Sequence, residues 1–271
     1  MMKSTSVYFL LLLTLFNSTL LKASDPITLQ GNKTLGSGEI PTIDTLIVQA
    51  KQLVNEQSDL VLKGGMKIDG SEYEIKSLTI DEGSNIYIYS KDVFVHEKGA
   101  ISEGGLQLQR GNLRFAGELE IKAASKSSTN PFIKERRPLE ILVNGDTQVR
   151  AKSLQIFSGK DNFPIVFQFN SQKAVQNYLA KPKPLIEIED TIESSSSINI
   201  YLVAQPDISY AAGKYPLIQA SKIDPNKFSL RFIKMQSGVT QEEEPFFHLQ
   251  FDDTTVNLVI DKDIVAKKDM F

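Results

Sequence analysis

The chain has 271 residues and not one cysteine. Disulfides, thiolate metal sites, lipoprotein acylation and cysteine nucleophiles are therefore excluded together. Histidine is scarce as well, with only His96 and His248. Neither has a partner at i+4 and no His-Glu-x-x-His motif occurs, so both are expected to be structural or surface residues rather than ligands or catalysts. No Gly-x-Ser-x-Gly elbow, phosphate loop or dinucleotide fingerprint appears. No catalytic, cofactor-binding or metal-binding residue can be assigned on these grounds, and no cofactor is expected. Charge of one sign is also lacking, the formal net charge being −3. Losing Lys3 and Lys22 with a leader brings it to about −5, a mild acidity that argues against nucleic acid as a partner.

Long hydrophobic runs are missing apart from one at the start. Lys3 precedes a nearly unbroken apolar stretch from Val7 to Phe16, and Ala23 and Ser24 offer a cleavage point. This is the pattern of a signal peptide over residues 1–23. From Val7 to Leu21 the stretch falls short of the roughly 18 to 20 apolar residues that a spanning helix needs. Asn17, Ser18 and Thr19 also interrupt it. The chain is thus expected to be exported, to the periplasm, the cell surface or the medium, with no integral span after cleavage. An exported chain without disulfides fits a bacterial envelope better than a eukaryotic secretory route.

What the sequence has in quantity is short apolar-alternating segments. From residue 78 they read Leu78-Thr79-Ile80, Ile86-Tyr87-Ile88, Val93-Phe94-Val95, Ala100-Ile101, Leu106-Gln107-Leu108, Leu113-Arg114-Phe115 and Leu119-Glu120-Ile121. Between them fall Gly83, Gly99, Gly104, Gly105, Gly111 and Gly117. Such spacing marks an all-β sandwich, barrel or solenoid. Strands this short and turns this varied favour a solenoid over hairpins. An internal echo adds to it: Ile75-Lys76-Ser77-Leu78-Thr79-Ile80 returns as Ala151-Lys152-Ser153-Leu154-Gln155-Ile156, and Leu119-Glu120-Ile121 as Leu139-Glu140-Ile141. Stacked turns of chain would make inward apolar positions recur in this way.

Upstream, Ile43 to Val54 fits either a helical stripe or a strand, and strand is preferred from its neighbours. Downstream, Ala123 to Pro138 reads as a polar loop with Lys126, Lys134, Arg136 and Arg137. Ser171 to Ala180 is the best helix, capped by Ser171 and stopped by Pro182 and Pro184. Long strands are expected at Leu185–Ile188, Ile198–Ala204, Tyr215–Ala220, Phe228–Ile233 and Phe246–Ile260, the last two flanking an acidic loop. The fold class is all-β: a short parallel β-helix or solenoid over 24–160, then a C-terminal β-rich capping module over 161–271.

This strand texture behind a signal peptide resembles the passenger regions of bacterial autotransporters. The C-terminal run Gly213-Lys214-Tyr215-Pro216-Leu217-Ile218-Gln219-Ala220, followed by Phe228-Ser229-Leu230, Phe247-His248-Leu249-Gln250-Phe251 and Val256-Asn257-Leu258-Val259-Ile260, is similar to the strand module that ends many passengers. The resemblance implies a parallel β-helix with a terminal cap and an adhesive or binding role at the cell envelope. The chain departs from a full autotransporter in leaving no length for a translocating barrel. Asp269 and Lys267 stand where a final barrel strand would be apolar, so Phe271 is not read as a barrel terminus.

Carboxylates are the remaining chemistry. Asp81-Glu82, Glu187-Ile188-Glu189 and Asp252-Asp253 could supply an acid/base pair for glycoside cleavage. Glu187 and Glu189 would project from one strand face. Polar strand faces usually meet solvent, and that reading is preferred. Glu242 to Glu244 with Asp261 and Asp263 lack a glycine-anchored calcium loop. Lys134 to Arg137 could meet an acidic glycan or a lipopolysaccharide phosphate, an ordinary solvated turn being preferred. Tyr87, Tyr89, Phe94 and Phe115 are expected to stack in the core, the alternative being an exposed stripe for sugar rings. The expected function is a non-enzymatic secreted or envelope protein with a surface binding or adhesion role toward glycans or envelope proteins. The alternative is a polysaccharide-acting lyase or hydrolase.

Overall fold

The structure is a computed structural model that describes residues 27–29, 33–35, 59–62, 65–75, 77–80, 85–123, 138–158, 162–169, 171–205, 208–232 and 243–265. The expected signal peptide, the Ile43–Val54 segment, the Asp81-Glu82 pair and the basic loop Lys134–Arg137 lie outside them. Strands make up most of what is described, and the all-β expectation holds.

The first strands are β1 (Ile27–Leu29), β2 (Lys33–Leu35), β3 (Asp59–Leu62), β4 (Gly65–Ile75), β5 (Ser77–Ile80) and β6 (Asn85–Val95). Next come β7 (Gly99–Ser102), β8 (Gly105–Leu108), β9 (Asn112–Phe115), β10 (Glu118–Ala123), β11 (Leu139–Leu142), β12 (Gln148–Ala151) and β13 (Ser153–Ser158). Strand β14 (Asn162–Phe169) leads into α1 (Gln172–Ala180), then β15 (Ile186–Ile188), β16 (Ile192–Ser194), β17 (Ser197–Ala204) and β18 (Gly213–Gln219). Last are β19 (Phe228–Phe232), β20 (Phe247–Asp252) and β21 (Thr255–Ile260).

Two sheets result. The first has seven strands in the order β1-β3-β5-β7-β10-β13-β16, every pair parallel. The second has two arms that meet at β6. Residues 85–88 of β6 pair with β8, and residues 92–95 pair with β9. The sequence pattern had shown Ile86–Ile88 and Val93–Val95 as two strands; the ladder joins them into one. From β8 the first arm continues through β11, β14 and β17 to β19. From β9 the second arm continues through β12 and β15 to β18, all parallel. Between one strand of the first sheet and the next, the chain visits one arm and then the other.

Register explains why the sequence permits this. In the first sheet Leu78, Gly99, Leu119, Leu154 and Ile192 lie in one row, and Ile80, Ile101, Ile121 and Ile156 in another. In the second sheet Ile88, Leu108, Ile141, Phe167 and Leu202 form a third row, and Val93, Leu113, Val149, Ile186 and Ile218 a fourth. With rare exceptions these side chains are fully buried in one apolar cluster. Burying each large aliphatic contributes about 1.5–3 kcal/mol relative to exposing it. The first echo in the sequence is this stacking, because Leu78 and Leu154 share a row three rungs apart. The second echo is not, since Leu119 lies in the first sheet and Leu139 in the second.

The helix α1 forms where expected, with Ser171 Oγ accepting from the Ala174 N–H at 3.4 Å. It buries Val175 and Tyr178, and the Tyr178 hydroxyl donates to the Pro216 carbonyl at 2.7 Å. The pairing of β11 with β14 and of β13 with β16 carries both sheets across residue 160. Two expected strands differ. Leu185–Ile188, expected as a long strand, is the three-residue β15. Phe246–Ile260 is a hairpin of β20 and β21, antiparallel to each other and to β18.

Candidate functional site

The outward rows of the second arm carry a cluster of charges. Strand alternation puts Leu113 and Val149 inside, so Arg114 and Arg150 point out, and register makes them neighbours on adjacent rungs. In the same row Phe94 is paired to Arg114 on one side and to Glu74 of β4 on the other, and the row continues to Glu187, paired to Arg150. Two residues toward the N-terminus, on the same outward face, lie Asp92, Asn112 and Gln148, again in register.

Each arginine has its carboxylate on the outer side. Asp92 Oδ1 accepts from Asn112 Nδ2 at 2.8 Å and from Arg114 Nη2 at 3.4 Å. Glu187 Oε2 accepts from Arg150 Nε at 2.9 Å and from Gln148 Nε2 at 3.0 Å. Arg150 Nε also donates to Gln148 Oε1 at 2.9 Å. Gln148 is only 2% exposed although it points outward. The segment after α1 covers it, and its amide donates to the Pro184 carbonyl at 2.8 Å. Pro182 and Pro184 fix the backbone on both sides of Lys183. Burial, then the Arg150 and Arg114 guanidinium groups, hold the Lys183 ammonium below the usual lysine range; Asp146 and Asp92 act in the opposite direction. Among the described residues that ammonium has no hydrogen-bonded or ion-paired partner. The arginine side chains remain 44% and 43% exposed, so the cluster faces solvent.

Glu187 is the one carboxylate from the sequence analysis that this cluster absorbs. Its neighbour is Arg150, whereas Glu189 lies beyond the end of β15 and is exposed. Asp252 ion-pairs with Lys214 at 2.7 Å and accepts from Asn257 Nδ2 at 3.0 Å. The Lys214 hydrogen bond holds its carboxyl below the usual carboxylate range. Asp253 accepts the Ile223 N–H with its backbone carbonyl. Asp261 lies 3.4 Å from His248 Nδ1, and Asp263 Oδ1 accepts from the Ala212 N–H at 2.7 Å. His96 packs edge-on against Phe94, 4.7 Å between ring centres. Among the described residues no three metal-ligating side chains converge. No helix among them is long and apolar enough to cross a membrane.

Core stacking is correct for Phe115 alone, which is 5% exposed. Tyr87, Tyr89 and Phe94 alternate with the inward Ile88, Val93 and Val95, so they point outward, Tyr87 being 40% exposed. Arg114, Arg150 and Lys183 were not singled out from the sequence. The Pro-Lys-Pro sequence was a visible signal that Lys183 is held in place. The pairing of Arg114 with Arg150 was not visible, because 36 residues separate them and register cannot be read across such a gap. Comparison of the chain with family models, with curated proteins and with solved structures finds no match.

Proposed function

We propose that the chain is a short parallel β-solenoid, closed at its C-terminal end by the β20–β21 hairpin, and that it acts as an exported envelope or surface protein which binds through its outer faces. The carrying observation is the parallel register that runs through the first sheet and through both arms of the second as far as β18 and β19. It stacks outward side chains from strands far apart in sequence into rows, such as Phe94–Arg114–Arg150–Glu187. Rows of this kind give an extended surface for a repeating or elongated partner, the use to which stacked-repeat folds lend themselves. The hairpin supports the closed end. Tyr215, Leu217 and Phe247 are buried, and Leu249 and Phe251 pack against the core, while His248, Gln250 and Asp252 alternate outward.

The experiment is a binding array of the mature protein against purified envelope glycans and surface proteins, run beside an assay for newly released reducing ends. Saturable binding without cleavage is the expected result. Cleavage of any polysaccharide would establish the enzymatic alternative instead, and absence of binding to every class would remove the adhesive role.

A further inference from the structure

Resting on that reading of the outer faces as binding surfaces, we propose that the Arg114 and Arg150 guanidinium groups and the Lys183 ammonium form a site for the carboxylates of an acidic polysaccharide. Register sets Arg114 and Arg150 on adjacent rungs, whose backbones lie about 4.8 Å apart. Their own carboxylates stand away from each other: Asp92 lies on the rung before Arg114, and Glu187 on the rung after Arg150. The Lys183 backbone is anchored beside Arg150 by the bond from the Gln148 amide to the Pro184 carbonyl, and both guanidinium groups act on its ammonium, with Asp146 and Asp92 acting in the opposite direction. Arg150 engages Gln148 and Glu187 through Nε. Its two terminal amino groups thus remain available, in the planar arrangement that matches a carboxylate.

One feature favours a glycan over other polyanions. Phe94 stands next to Arg114 in the same outward row and is partly exposed. Its ring can carry the apolar face of a sugar while the neighbouring acidic group reaches the arginines.

The test uses the full mature chain with polygalacturonate, neutral dextran and single-stranded DNA as probes, read by isothermal titration at two salt concentrations. Polygalacturonate is expected to bind and dextran not to, and the affinity should fall as salt rises. Lys183→Gln breaks no hydrogen bond or ion pair among the described residues and should weaken binding about tenfold, the loss typical of one charge-assisted contact. Phe94→Ala should weaken binding while leaving its salt dependence in place. Lys122→Gln, exposed on the first sheet, should change nothing. Equal binding by the wild type and Lys183→Gln would overturn the site. So would DNA binding as tight as that of polygalacturonate, which would mark a general polyanion surface. Failure to bind polygalacturonate alongside retained binding to another glycan would overturn this inference while leaving the adhesive function standing.

Discussion

Gly99 occupies the inward row between Leu78 and Leu119, where its neighbours are leucines. A Cβ there would overlap the ring of Phe115, which fills the space that the glycine leaves open. Gly117 is held by backbone instead, since a Cβ would overlap the Glu97 carbonyl. Gly99→Ala should destabilise by about 1–3 kcal/mol, the usual cost of overpacking a tight core. Adding Phe115→Leu should recover part of that loss. Urea unfolding midpoints measure both, and an unchanged midpoint for Gly99→Ala would contradict the packing described. Asp252 gives a second test at this scale. Its folded pKa is depressed by Lys214, so the stabilisation from the pair is complete above the unfolded carboxylate pKa. It is lost as pH falls through the lower folded value. Lys214→Met should return the Asp252 carboxyl to the ordinary range in a carbon-detected titration. Asp252 is solvent-exposed, so the accompanying change in stability should be small.

The element that matters most is the C-terminal hairpin. β21 continues the second arm by pairing antiparallel with β18, and β20 then becomes the edge. That edge shows His248, Gln250 and Asp252 to solvent, the polar and charged display that discourages further strand addition. Beneath it Phe251 packs near Phe228 at 6.2 Å between rings, and Phe247 near Tyr210 at 6.0 Å. Leu249→Asp puts a charge against this apolar layer and should destabilise by about 2–4 kcal/mol. Truncation after Ala212 removes β18 along with the hairpin, exposes the β15 edge and should yield aggregating material. A soluble, monomeric and cooperatively unfolding fragment ending at Ala212 would show that the preceding strands need no cap. The helix was legible because its signals are local: Ser171 caps it and Pro182 and Pro184 stop it. The hairpin was only half legible. Phe246–Ile260 reads as continuous apolar alternation, and Asp253-Thr254, which form its turn, carry neither the Asn-Gly nor the Asp-Gly signal of a tight reversal.

At the scale of the molecule, legibility followed the distance over which a pattern has to be compared. Strand texture is set by neighbours two residues apart, so all-β character could be read directly. The stacking of Leu78 over Leu154 showed through as an echo because both rungs kept the same apolar spacing. The Arg114–Arg150 pair did not show through, because the residues after β10 and around α1 give successive turns of chain unequal lengths. From Gly99 to Leu119 is 20 residues, but from Leu119 to Leu154 is 35. The central claim is the parallel register that survives these insertions, and the absence of native cysteine makes it open to a clean cross-linking test. Glu120, Gln155 and Glu193 are outward residues on three successive rungs of the first sheet. Adjacent rungs lie about 4.8 Å apart, within disulfide reach, whereas two rungs at about 10 Å are beyond it. The variant Glu120→Cys with Gln155→Cys should oxidise to an intramolecular disulfide in the folded protein. Glu120→Cys with Glu193→Cys should remain reduced under the same conditions. Cross-linking of the second pair but not the first would contradict the register, and with it the proposed solenoid and the site proposed on its outer face.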